Sequence, residues 1–163
     1  MKIAVVILLV ALSLASAAVL FAADPVVRVN FDSLKWDCKP EDLGFCEARV
    51  EGDKTKPGLY IVLVKFPPSG LMSKPHFHDE TRYATVIKGT WWTGDGDVFD
   101  PSKTVALKPG SFMKHPAKAH HYDGSKNEEV ILQLMGMGPS STTKIKANEG
   151  LFAPSMPAQQ PKK

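Results

Sequence analysis

The sequence predicts an all-β domain, a β-sandwich or barrel of two antiparallel sheets, and three observations carry that prediction. After Asp24 the apolar segments are short and rich in β-branched residues. Turn-forming Gly, Pro and Asp clusters separate them at close intervals. No segment beyond residue 23 keeps its apolar positions at the helical period for as long as about ten residues. A chain of 163 residues with 44% hydrophobic and 23% charged residues has the composition of one globular domain. Its formal charge of +3 is dispersed, with no basic run interleaved with aromatics, which excludes a nucleic-acid surface. A P-loop, a dinucleotide-binding glycine turn and a GxSxG nucleophile elbow are all missing, which argues against nucleotide and serine-hydrolase chemistry.

Residues 1–23, MKIAVVILLVALSLASAAVLFAA, place Lys2 ahead of a long apolar run that closes on small residues, the pattern of a secretory signal peptide. Ala15-Ser16-Ala17 and Ala22-Ala23 both fit a cleavage site. An uncleaved anchor is the competing reading, because the run approaches the roughly 20 residues that span a bilayer. Cleavage is the expectation. It leaves a domain at 24–150 and a Pro/Gln/Lys-rich tail at 151–163, in the periplasm or secreted and free of the membrane.

Within the domain, Val26 to Phe31 alternates as a strand, and Leu59 to Phe66 is a stronger one stopped by Pro67-Pro68. Between them Asp32 to Pro57 reads as a loop-rich elaboration holding Cys38 and Cys46. Export to an oxidising compartment favours a disulfide between these two over a redox pair, since the spacing is not C-x-x-C. Short strands follow at Tyr83 to Ile87, Thr90 to Thr93, Thr104 to Leu107, Ser111 to His115, around His121, Val130 to Met135 and Thr142 to Ile145. Gly94-Asp95-Gly96-Asp97 is a turn, since it lacks the ligand spacing of a calcium loop. Leu151 and Phe152 can pack on the body or on a second subunit.

Every histidine falls in one of two segments: His76 and His78 in GLMSKPHFHDETRYATVIKG, and His115, His120 and His121 in GSFMKHPAKAHHY. In an extended strand, residues two apart share a face, so His76 and His78 can converge on one ion. His120 must face away from His121.

At this point the two segments resemble the motifs of the cupin superfamily. Gly70, His76-Phe77-His78, Arg82 and Gly89 reproduce the spacing of its first motif, and Gly110, Pro116 and His121 that of its second. Lys118 stands where the family has Gly, and Ser125 where it has Asn. The resemblance implies a jelly-roll β-barrel, often dimeric, with a metal pocket between its sheets. It further implies His76, His78 and His121 as ligands of one divalent transition metal, Fe, Mn, Zn, Ni or Cu. More narrowly, the chain looks like small exported bacterial cupin-domain proteins.

Arg82 occupies the position where many cupins place a glutamate ligand, and a guanidinium has no lone pair to donate. It either grips the carboxylate of a metal-bound ligand or turns outward to Asp79, Glu80 or Asp95. Glu80 and Gln133 are alternative oxygen ligands, and Tyr83 is either a proton donor, if directed inward, or an aromatic packing residue. His115 is either a pocket wall or a strand end. Trp91 and Trp92 must face opposite sides. The functional expectation is a dioxygenase-like oxidoreductase in which Arg82 and Tyr83 attend a small anionic substrate. A noncatalytic periplasmic binding or sensing module is the alternative.

Overall fold

A computed structural model of the protein describes residues 24–155. The expected signal peptide at 1–23 and the end of the expected tail at 156–163 lie outside the described residues. The regular structure of the described chain is mainly strand: β1 (Trp36–Cys38), β2 (Cys46–Glu51), β3 (Gly58–Phe66), β4 (Leu71–Phe77), β5 (Arg82–Lys88), β6 (Trp91–Asp95), β7 (Val105–Leu107), β8 (Phe112–His115), β9 (His121–Gly124), β10 (Val130–Gly138), β11 (Thr143–Lys144) and β12 (Phe152–Pro154). One sheet runs β1-β2-β3-β10-β5-β8. The other runs β11-β4-β9-β6-β7, with β12 also paired to β4, and all the pairings are antiparallel.

Alternation along the strands decides what lies inside. Tyr60, Val62, Val64 and Phe66 of β3, Ala84 and Val86 of β5, and Val130, Leu132 and Leu134 of β10 form one buried face, and Trp91 of β6 meets them from the second sheet. Trp92 faces the other way, with the Lys126 ammonium 3.7 Å above its ring.

Three sequence expectations are corrected. Val26 to Phe31 is not a strand: Val26, Val27 and Val29 are exposed with no strand beside them, and a single 3-10 turn follows at Phe31–Ser33, capped by Asn30. Alternation alone does not make a strand without a partner to bond. The tract between Asp32 and Pro57 is more ordered than a loop. It carries the β1–β2 hairpin, with Cys38 opposite Cys46 and bonded to it. The sheet also continues beyond the expected boundary at Gly150, since β12 pairs Phe152 with Ser73.

Candidate metal centre

Strand β4 carries a proline, which cannot donate to a ladder, and the register between β4 and β9 shifts between Ser73 and His76 around it. That irregularity lets Ser73 and His76 both line the interior cavity despite their odd separation. His78 follows two residues later on the same face, and His121 pairs directly with His76 across the ladder. The candidate ligand atoms of His76, His78 and His121 all lie within 4.8 Å of one another, and all three side chains are buried.

Each of these rings is turned by its own backbone contact. His76 Nδ1 lies 2.8 Å from the Lys74 carbonyl, His78 Nδ1 2.8 Å from that of Ser141, and His121 Nδ1 3.0 Å from that of Ala119. A carbonyl only accepts, so Nδ1 carries the proton in all three and Nε2 keeps its lone pair. Nε2 of His78 and of His121 is buried with no hydrogen-bond partner. Burial holds His76 down to about 4, opposed by the Asp123 carboxylate. It holds His78 down to about 2, reinforced by the Arg82 charge. His121 is lowered by burial as well, with Asp123 opposing. Neutral imidazoles at neutral pH are what a metal ion requires.

Arg82 opens β5 with the inward parity of Ala84 and Val86, and it lines the cavity beside His76 and His78. Its Nε donates to Nδ1 of His115, its cross-strand neighbour, at 3.1 Å. Among the described residues no carboxylate forms an ion pair with it. Asp79 pairs with Lys118 instead, and Glu80 is exposed. Burial lowers the Arg82 pKa, and Asp123 is the first charge opposing that shift.

The remaining assignments divide by strand parity. Tyr83 faces outward, 37% exposed and stacked on Phe112 with ring centroids 6.0 Å apart, so the structure does not bring it into the site. Gln133 pairs with Leu63 and Thr85 on the face opposite Leu132 and Leu134, away from the cavity. Glu80 stays outside too. His120 points away from His121 and meets Asp97. His115 is fully inside, its ring stacked on His121 at 3.9 Å.

One site residue was missed from the sequence. Asp123 is buried beside the ligand group, with Oδ1 accepting from Ser73 Oγ at 3.2 Å and Oδ2 lying 3.6 Å from His121 Nε2. The His121-x-Asp123 spacing on one strand was the available signal, the same parity rule that linked His76 to His78. Asp123 also belongs to a second close group, with His115 and His121. The cavity itself measures about 180 Å³, and Phe45, Asp42 and Glu47 of the disulfide-bonded hairpin and its connection close one side of it.

No family model matches the sequence, and no curated protein matches it. Solved structures do. The polyketide cyclase RemF from Streptomyces resistomycificus superposes with a TM-score of 0.60 at 14% identity, over 77% of this chain and 89% of that one. An RmlC-like cupin protein from Ralstonia eutropha gives 0.59 at 18% identity, over 80% of each chain. The DMSP lyase DddQ from Ruegeria pomeroyi gives 0.56 at 14% identity, over 75% of this chain and 61% of the lyase, so this chain spans less than two thirds of that protein. Likeness at these identities speaks to fold, and the fold is that of the cupins.

Proposed function

We propose that this cupin-fold chain is a metal-dependent enzyme for a small anionic substrate, with His76, His78 and His121 as the metal ligands and Arg82 holding the substrate's anionic group. The observation that carries the proposal is the common tautomer of the three rings, each with Nδ1 engaged by a backbone carbonyl and Nε2 left to coordinate. Three nitrogens leave positions open on Zn, Fe, Mn, Ni or Cu. When bound, such an ion polarises an attached oxygen or, if redox-active, supports oxygen chemistry.

Arg82 supports the anionic reading. A guanidinium facing a divalent ion is repelled unless an anion lies between them, and no protein carboxylate pairs with this one among the described residues. With Nε held by His115, both terminal nitrogens remain for a two-point grip on a carboxylate. Phe45, Trp91, Leu132 and Leu134 line the cavity and limit water around the bound group.

Oxidation of the dioxygenase type is the subclass we assign, on the three-histidine pattern. One observation favours a second subclass: Asp123 Oδ2, 3.6 Å from His121 Nε2, sets a carboxylate where it can take a proton from a bound substrate, as elimination or isomerisation requires. A noncatalytic binder would use the same pocket.

The test is elemental analysis of protein purified without chelator or histidine tag, beside His78→Ala and His120→Ala. We expect a stoichiometric transition metal that is lost in His78→Ala and retained in His120→Ala, because His120 faces solvent. Equal loss from both would remove the ligand assignment. Oxygen consumption with small carboxylates and thiols then separates oxidation from elimination, and binding without turnover identifies the binder.

A further inference from the structure

We infer that His115 is not a metal ligand but a hydrogen-bond donor to the bound anion, set in the Nε2–H tautomer by Arg82. This rests on the anion-holding role proposed above for Arg82 and adds a residue that determines specificity.

Arginine can only donate, so the Arg82 Nε contact at 3.1 Å requires a lone pair on His115 Nδ1. A neutral ring with Nδ1 unprotonated carries its hydrogen on Nε2. That atom is buried and has no acceptor among the described residues. The other three buried rings have the opposite arrangement, with Nδ1 against a carbonyl and Nε2 bare. The four histidines therefore divide three to one, into three acceptors for a metal and one donor. The grouping of His115 with His121 and Asp123 satisfies the distances for a second metal site but not the protonation. To coordinate through Nε2, His115 would have to become an imidazolate or lose its bond from Arg82.

Its position also suits the donor role. The ring stacks on His121 at 3.9 Å with 23° between planes, it lies in the same close group as His121 and Asp123, and Arg82 bonds it through Nδ1. A buried N–H without an acceptor costs stability until a bound group accepts from it. In this reading a carboxylate held by Arg82 offers its second oxygen to that N–H. The substrate class is then a small oxyanion with at least two acceptor oxygens, one set for Arg82 and one for His115.

The experiment has two parts. Long-range proton–nitrogen NMR of the metal-free protein should give the Nδ1–H pattern for His76, His78 and His121 and the Nε2–H pattern for His115. An Nδ1–H pattern for His115 overturns the inference. Zinc-loaded wild type, His115→Gln and His115→Phe are then titrated with oxalate by calorimetry. Glutamine keeps a donor near the Nε2 position, and phenylalanine keeps the stacking without one. Zinc stoichiometry should be unchanged in both variants, while the oxalate Kd rises about tenfold or more in His115→Phe and mostly recovers in His115→Gln. Zinc lost from both variants with the fold intact would make His115 a ligand. An unchanged Kd in His115→Phe would refute the donor alone, whereas zinc-loaded wild type that ignores oxalate would refute the Arg82 reading with it.

Discussion

Lys118 shows how a single residue can depart from a motif while its backbone obeys it. The cupin pattern places Gly here, and Lys118 takes the left-handed conformation a glycine would, with φ at 63°. The fold holds it there because its N–H donates to the His78 carbonyl at 2.8 Å, just behind a candidate ligand. Its side chain reaches over the Phe77 ring and pairs with Asp79 at 3.1 Å. That ion pair is largely exposed and contributes little, whereas a side chain at positive φ costs about 1 kcal/mol or more. Lys118→Gly should therefore raise the denaturant midpoint by an amount equivalent to roughly 0.5–1 kcal/mol; a drop would mean that the contacts of Lys118 outweigh its strain. The residue scale is also where sequence reading left Tyr83 open between proton donor and aromatic packing, and the structure stacks it on Phe112. Nothing local distinguishes it from Arg82 beside it, and only the parity of β5 against a buried Ala84 assigns one to the cavity and the other to the surface.

Among the elements, the β1–β2 hairpin does more than its short strands suggest. Its disulfide pins Cys38 to Cys46, directly opposite in the ladder, and Phe45 beside it packs against Phe66 at 5.1 Å and Phe152 at 4.9 Å between ring centroids. Phe45 and Glu47 also form part of the cavity wall. Loop-closure entropy for so short a ring is worth about 2–3 kcal/mol. Cys38→Ser/Cys46→Ser should lose about that much in urea unfolding and also bind oxalate more weakly in the zinc-loaded form. Full stability in the variant would mean that Phe45 packing alone holds the hairpin. The two cysteines and their pairing were legible from their count and the export reading. Of the strands flanking them, β1 has only three residues and shows no period, whereas β2 does alternate, Cys46, Ala48 and Val50 against Glu47, Arg49 and Glu51, and the sequence reading passed over it.

For the whole molecule, the notable property is that four imidazoles are buried together. Burial depresses His76, His78, His115 and His121, with His76 near 4. In the unfolded chain each returns to about 6.5. As pH falls below that value the unfolded state takes up protons that the folded state refuses. Their contribution to stability is therefore complete at neutral pH and above. It is lost as pH falls below about 6.5, down to about 4 for His76 and about 2 for His78, at up to about 1.4 kcal/mol per pH unit for each ring. The metal-free protein should show a urea midpoint that drops steeply between about pH 6.5 and pH 5, and saturating zinc should delay the drop. A flat midpoint over that interval would mean that the rings are solvated in solution.

The sequence by itself determined the all-β class, through short alternating segments broken by turns, and the cupin pattern, through glycines and histidines at fixed intervals. Those glycines are legible because the backbone needs them: Gly70 and Gly89 both sit at positive φ, and a Cβ on either would come within 2.2 Å of a carbonyl oxygen. It also determined that His76 and His78 share a face and that His120 opposes His121, since both follow from a period of two carried one residue past β4 to His78 and one residue ahead of β9 to His120. Only the tertiary structure decided that His115, on the other sheet, stacks on His121, and that Arg82 turns inward without a carboxylate partner. Each of these depends on which strands lie across the core from one another. That pairing is set by the register of whole sheets, which no local stretch of residues encodes.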